Sequence, residues 1–243
     1  MFHKDKTETT DTGFEYIPYK RLKRKQREMA DNKNEYWRQK AARLGYGLDV
    51  LAHDGDRYVR AACAEVGFAP DVLFDDEDPF VREQVALSGL KLDSLIEDEN
   101  CHVRAAVAKS GYGLERLCSD PSPIVRAAVA EKGYGGMLLV TDPDWRVRKA
   151  AAKAGSGLTV LANDSDRRVR ESVAERGWAL NMLAVDEDAW IRKLVAAYLM
   201  ARGLTIREWV AENPDKCVAP AKMPTPEAIQ DAEALGINTV SFA

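Results

Sequence analysis

The sequence predicts an all-α fold, a right-handed α-solenoid of about eight 22-residue repeats, each holding one α-helix and one short helical turn, α or 3₁₀. Two observations predict it. Arg38, Arg60, Arg82, Arg104, Arg126, Arg148, Arg170 and Arg192 stand 22 residues apart without an insertion, and self-similarity at a fixed short period is the mark of a repeat array. The residues around each Arg also keep its phase. Val or Ile precedes it in seven copies, with Trp37 in the first, and Ala follows four positions later in all eight, from Ala42 to Ala196.

Each position in the unit has a physical task. Four before the Arg come Asn34, Asp56, Asp78, Asn100, Ser122, Asp144, Asp166 and Asp188, residue types whose side chains accept from the free N–H groups of a first helical turn. Pro79 and Pro123 follow at the first helical position, where a missing N–H costs nothing. Seven after the Arg comes Gly in seven copies, Gly45 to Gly177, suited to a left-handed C-terminal cap. Between the caps lies a helix of roughly ten residues whose −1 and +3 positions form an i, i+4 apolar stripe. Leu recurs at +10 and +13, for example Leu48 and Leu51, or Leu158 and Leu161, which fits one further helical turn packed on its neighbour. A unit this small buries its apolar side only by stacking on the next, hence the solenoid.

The "D-x-x-x-x-V-R" core, as in "DGDRYVR", "DEDPFVR", "DPDWRVR" and "DSDRRVR", resembles the second-helix signature of HEAT repeats. The short period and leucine-bearing mini-helix are similar to the leucine-rich repeat variant (LRV) family. The resemblance spans about residues 32–203 and implies an α-solenoid with the first HEAT helix truncated. An iron–sulfur module known in one LRV protein depends on a cysteine cluster that is absent here, so no cofactor is implied.

The repeat grammar changes at both ends, as capping demands. Residues 1–13 are polar and expected to be disordered. Residues 14–31 are expected to form a basic N-terminal helix or cap, with six basic residues in the eight positions from Lys20 to Arg27. After Arg192 the expected Gly becomes Leu199, so a longer last helix should close at Gly203. Residues 204–243 are expected to supply capping helices and a tail. Thr205 and Glu208 are spaced as a capping box, and a last helix is expected over residues 225–235, folded back on the array or free.

Net charge is −4, unevenly spread. Residues 1–40 carry eleven Lys/Arg against seven Asp/Glu, while the remaining 203 carry 24 against 32. A body of net charge −8 is a poor general sleeve for nucleic acid. No apolar run approaches the ~18 residues that span a bilayer, and the first residues lack a secretory core. Cys63, Cys101, Cys118 and Cys217 include no CxxC and no His at ligand spacing; free thiols in a reducing, cytoplasmic setting are expected, with no metal and no membrane contact.

No catalytic constellation emerges, and neither does a small-molecule substrate. His3, His53 and His102 fall at different repeat phases, and there is no P-loop, GxGxxG or HExxH. An Asp column six before each Arg (Asp54, Asp76, Asp98, Asp120, Asp142, Asp164, Asp186, with Asn32 in the first copy) recurs in every unit, and a recurring column cannot define one active site. It is expected to tie each inter-helix loop to the same or the adjacent repeat. A HEAT-like DNA-modifying enzyme would need acidic and aromatic groups converging in one repeat, and none is singled out.

Function is therefore sought in what varies. Positions −2 and +5 lie opposite the apolar stripe. Tyr58, Phe80, Leu87, His102, Ile124 and Trp190 make a candidate protein-binding surface, with gap-filling between helices as the alternative for the −2 residues. Lys20, Arg21, Lys23, Arg24, Lys25 and Arg27, with Arg146, Lys149, Lys153 and Arg168, make basic patches able to bind phosphates or an acidic partner, or to remain a solvated face. The aromatic residues at +8 (Tyr46, Phe68, Tyr112, Tyr134, Trp178) are assigned to packing. The expected activity is that of a non-enzymatic scaffold binding another protein; nucleic-acid binding is the second expectation.

Overall fold

A computed structural model describes residues 7–237, so His3 and residues 238–243 lie outside the described residues. Among the described residues the fold is all-α apart from one isolated bridge, Ile17 with Tyr46, and a hairpin of two-residue strands, Glu8–Thr9 with Glu15–Tyr16. It divides into two compact units, one ending at Val125 and one starting at Arg126.

In the first unit the long helices Glu35–Arg43, Arg57–Glu65, Pro79–Leu87 and Cys101–Ser110 pack side by side in sequence order. The second unit repeats the arrangement with Trp145–Ala154, Arg167–Glu175 and Ala189–Met200. Each long helix starts on the expected cap. The Asp56 carboxylate, for instance, accepts from the N–H groups of Tyr58 and Val59. Short helices follow: Leu48–Leu51, Pro70–Leu73, Leu92–Leu95 and Leu114–Leu117 in the first unit, Gly136–Val140, Leu158–Leu161 and Leu180–Leu183 in the second. They are single α turns rather than 3₁₀; the N–H of Leu51 reaches back four residues to Gly47. Their +13 leucines, with the −1 Val or Ile and most +4 Ala, form the buried core.

Between long and short helix the backbone enters the left-handed region twice. The first entry is the expected Gly. At Gly45, its N–H donates to Ala42 and that of Tyr46 to Ala41, the paired bonds of a Schellman cap. The second comes two residues later, at Gly47, Gly113 or Gly157, and also at Ala69, Lys91 and Ala179, whose side chains bear the steric cost that L-residues meet there.

Arg38, Arg60, Arg82, Arg104, Arg148 and Arg170 bind in the same manner. Arg60 donates through Nε and Nη2 to the two carboxylate oxygens of Asp76, at 2.7 and 2.9 Å, and through Nη1 to its own repeat's Asp54 carbonyl at 2.9 Å. The Asp76 carboxylate also accepts from the N–H of Asp78, at 2.9 Å. One guanidinium thus fastens two successive loops, and the expected tie is to both the same and the adjacent repeat. The ends are closed by sequence changes. Asn32 keeps the loop bond to the N–H of Asn34 but carries no charge. Position 208, where the next Asp would stand, is Glu208, committed to a capping box with Thr205; Arg192 is met instead by Asp231 from the terminal helix Pro226–Ala234.

Both N-terminal expectations need correction within the described residues, and residues 1–6 of the first lie outside them. Residues 7–13 are not disordered: the Thr10 and Thr12 hydroxyls donate to the Val66 carbonyl at 3.0 and 2.7 Å, and the Asp11 N–H to that of Gly67. These polar residues satisfy carbonyls left open at a helix C-terminus. Nor are residues 14–31 one helix. Ile17 bonds to the Gly45–Gly47 turn, Tyr19–Arg21 is a 3₁₀ turn, and only Arg24–Ala30 is α-helical. Burying Leu22 between the two turns interrupts the run. Gly45 is required by this arm as well, since a Cβ there would stand 2.7 Å from the Glu15 carbonyl oxygen.

In the second unit the last long helix, Ala189–Met200, extends through Leu199 as expected, and Gly203 closes it with a positive φ. Ile206–Glu212 then packs on Leu180–Leu183, and Pro226–Ala234 folds back on Ala189–Met200. Between them residues 217–225 form an irregular strap across the short-helix side.

Candidate protein-binding surface

The Arg82–Asp98 and Arg170–Asp186 pairs have side chains at most 10% exposed. Burial raises the Asp142 carboxyl, but the Arg126 fork and the N–H of Asp144 outweigh it and hold the group below its usual range. A carboxylate so paired has its oxygens occupied and offers neither a base nor a ligand.

In the first unit the −2 column is largely open. Tyr36 and Tyr58 are exposed, Phe80 is half-buried, and His102 and Ile124 are exposed; Leu87, at +5, lies two turns along the same helix face as Phe80. Tyr58 and Phe80 meet edge to face, ring centroids 5.5 Å apart, the preferred aromatic geometry. Arg57 stacks on Tyr58 at 4.8 Å and bonds the next cap, Asp78, at 3.1 Å. Gap-filling therefore describes one flank of Phe80. The outward sides of Tyr58 (44% exposed), Leu87 (46%) and Ile124 (41%) remain in water, a concentration of large apolar groups on one face that monomeric proteins rarely leave uncovered.

Trp190 belongs to the second unit. It is exposed, and its indole N–H donates to Glu171 at 3.1 Å.

The basic residues are less available than their number suggests. Arg168 forks onto its own cap, Asp166, at 2.9 and 2.7 Å, and lies 3.4 Å from the centre of the Trp145 ring. The fork lowers the Asp166 carboxyl to about 2. Arg146 bonds Asp144 at 3.2 Å and flanks the same ring. Lys149 is half-buried, whereas Lys153 is exposed. In the first unit Arg21 pairs with Glu8 and Arg24 with Glu28, while Arg27 covers Tyr19. Lys20, Lys23 and Lys25 are exposed, and each unit carries its own basic group.

Several surface features have no precedent in the sequence reading. Position +12, on the short helices, exposes Val50 and Val72 in the first unit and Leu138 and Val160 in the second, with Met137 beside Leu138. Tyr112 and Tyr134, assigned to packing, are also exposed; Phe68 does pack, edge to face on Tyr16 at 5.0 Å. The +12 signal was present as a hydrophobic residue next to the conspicuous leucines, hidden because a four-residue helix has too few positions to reveal an outward face.

The four cysteines are free. Among the described residues no helix is long and apolar enough to cross a membrane, and no group of His, Cys, Asp and Glu could hold a metal ion. No family model matches the chain, and a search of curated proteins finds no match.

Proposed function

We propose that this protein is a non-enzymatic scaffold or adaptor that binds another protein through the long-helix face of its first unit, centred on Tyr58, Phe80 and Leu87. The observation that carries the reading is the exposure of large apolar groups on that face, apart from the paired carboxylates of the charge ladder. A Tyr–Phe pair with a stacked Arg is the kind of rigid, amphipathic group that anchors protein interfaces. The resemblance to HEAT and LRV repeats agrees with such a role by fold analogy alone. Free cysteines, one of them the buried Cys63 with its thiol pushed up by burial, support a reducing, cytoplasmic setting.

Affinity purification from the native host tests the reading. The wild-type chain is expected to retain a specific protein that a Tyr58→Asp/Leu87→Asp double variant loses, while the variant keeps its helical circular dichroism. An unchanged set of captured proteins would return these residues to local packing. A second reading, nucleic-acid binding, rests on the exposed Lys20, Lys23 and Lys25 with Lys153; it predicts retained nucleic acid whose affinity falls steeply between two salt concentrations.

A further inference from the structure

The strap at residues 217–225 is held by an unusual device. Asn181 donates through its side-chain amide to the Val218 carbonyl at 2.9 Å and accepts from the Val218 N–H at 3.1 Å. Asn163 does the same across two residues, donating to the Ala219 carbonyl at 3.4 Å and accepting from the Ala221 N–H at 2.7 Å. The Lys216 carbonyl takes the Ala179 N–H at 3.0 Å. An Asn amide matches the donor and acceptor of an extended main chain, so these contacts read backbone and ignore side chains. The same repeat position is used once more in the other unit, where Asp49, in the register of Asn181, accepts the Tyr19 main-chain N–H at 2.7 Å.

The strap fills its seat poorly. Val218 is buried, but Ala219, Pro220, Ala221 and Lys222 are exposed and Met223 is 80% exposed. A cleft of about 390 Å³ remains between the strap and the short helices, floored by Ala162, Met182 and Val185 and edged by Pro220 and Met223. Its apolar floor continues in the +12 column, from the covered Met182 to the open Val160 and Leu138. The seat therefore has main-chain clamps for an extended segment and apolar room that alanine and proline do not use.

We infer that the short-helix side of the second unit is a peptide-binding groove, in which residues 217–223 act as an intrinsic, under-filling occupant displaced by an extended peptide of another protein carrying a large apolar side chain at the place of Ala221. The groove is separate from the long-helix face of the first unit and does not depend on that reading. A tethered strap competes at a high effective concentration, so the intact chain holds the groove mostly closed and an external peptide binds weakly until the strap is loosened.

Fluorescence anisotropy on the full chain tests the groove. The probes are a labelled peptide spanning residues 216–224 and the same peptide with Ala221→Leu. Val218→Asp, which drives the strap's buried anchor into water, is expected to bind the leucine probe at least tenfold more tightly than wild type does. Adding Asn181→Ala is expected to reverse that gain at least tenfold, because the clamp rather than the apolar floor selects extended backbone. Ala221→Pro, which deletes the N–H given to Asn163 and fixes φ at that residue, serves as a milder loosening. A folded variant that fails to bind the leucine probe overturns the inference, as does binding indifferent to Asn181. Equal or tighter binding of the unmodified peptide overturns the assigned occupant in favour of a second copy's strap. Unfolding of both loosened variants makes the strap a structural cement and likewise overturns it.

Discussion

Arg170→Met is expected to lower stability by about 3–5 kcal/mol, the cost of stranding one member of a buried ion pair, read as a fall in the urea midpoint by circular dichroism. Arg170 and Asp186 are 7% and 5% exposed, and the fork between them is closed by bonds of 2.7 and 2.9 Å. Removing the guanidinium leaves the carboxylate with the Asp188 N–H and little else. Adding Asp186→Asn should then recover at least half of the loss, because the amide oxygen still accepts from that N–H without an unpaired charge. The chain makes this choice itself at Asn32, which keeps its loop bond. Ion pairing also shapes the response to acid, through the ladder carboxylate Asp142 beside Arg126 and the cap carboxylate Asp166 beside Arg168. Asp142 and Asp166 are depressed in the folded state, Asp166 to about 2 from an ordinary 3.8. Their contribution is complete above the unfolded value and is lost as pH falls through the folded one, so acid unfolding should set in between about pH 4 and pH 2.

Trp209→Ala is expected to cost a similar ~3–5 kcal/mol, but its consequence is local. Trp209 is the largest fully buried side chain, on the helix Ile206–Glu212 that packs against Leu180–Leu183. Its loss should detach this helix and with it the neighbouring Cys217, which is half-buried and whose thiol is raised by burial and by Asp215. Thiol titration should therefore show Cys217 reacting faster in the variant, while Cys63, on the buried face of the helix Arg57–Glu65, stays protected. Equal acceleration at both thiols would mean that the second unit does not yield separately from the first.

The repeated features were legible because each position performs one task many times. The Asn and Asp caps, the Gly turns, the +13 leucines and the Arg–Asp ladder all stand where the 22-residue phase places them. The single-copy features were not. Nothing in the spacing announces that Asp231 replaces the missing ladder carboxylate, since that contact joins residues 39 positions apart. The polar N-terminal residues 7–13 read as free chain, yet their hydroxyls fit open carbonyls at Val66. Ala69, Lys91 and Ala179 take a left-handed conformation that their residue types do not advertise.

The candidate surface was legible in part. Phase separated the variable −2 and +5 positions from the ladder, and Tyr58, Leu87 and Ile124 are exposed as that separation requires. Phase could not reveal that Arg146 and Arg168 turn back onto Asp144 and Asp166 and stack on Trp145. Nor could it show how weakly the strap fills the short-helix cleft, because that depends on two asparagines and a proline-rich joint outside the repeat.

On this account the charge columns hold the repeats together while the first unit's apolar face recognises a protein. Placing a photo-crosslinking side chain at position 58, and in a second chain at position 77 beside the ladder, tests it most directly in extract of the native host. The expected result is one discrete protein adduct from position 58 and none from position 77. Adducts of equal yield from both positions, or a nucleic-acid adduct in place of the protein, would contradict it.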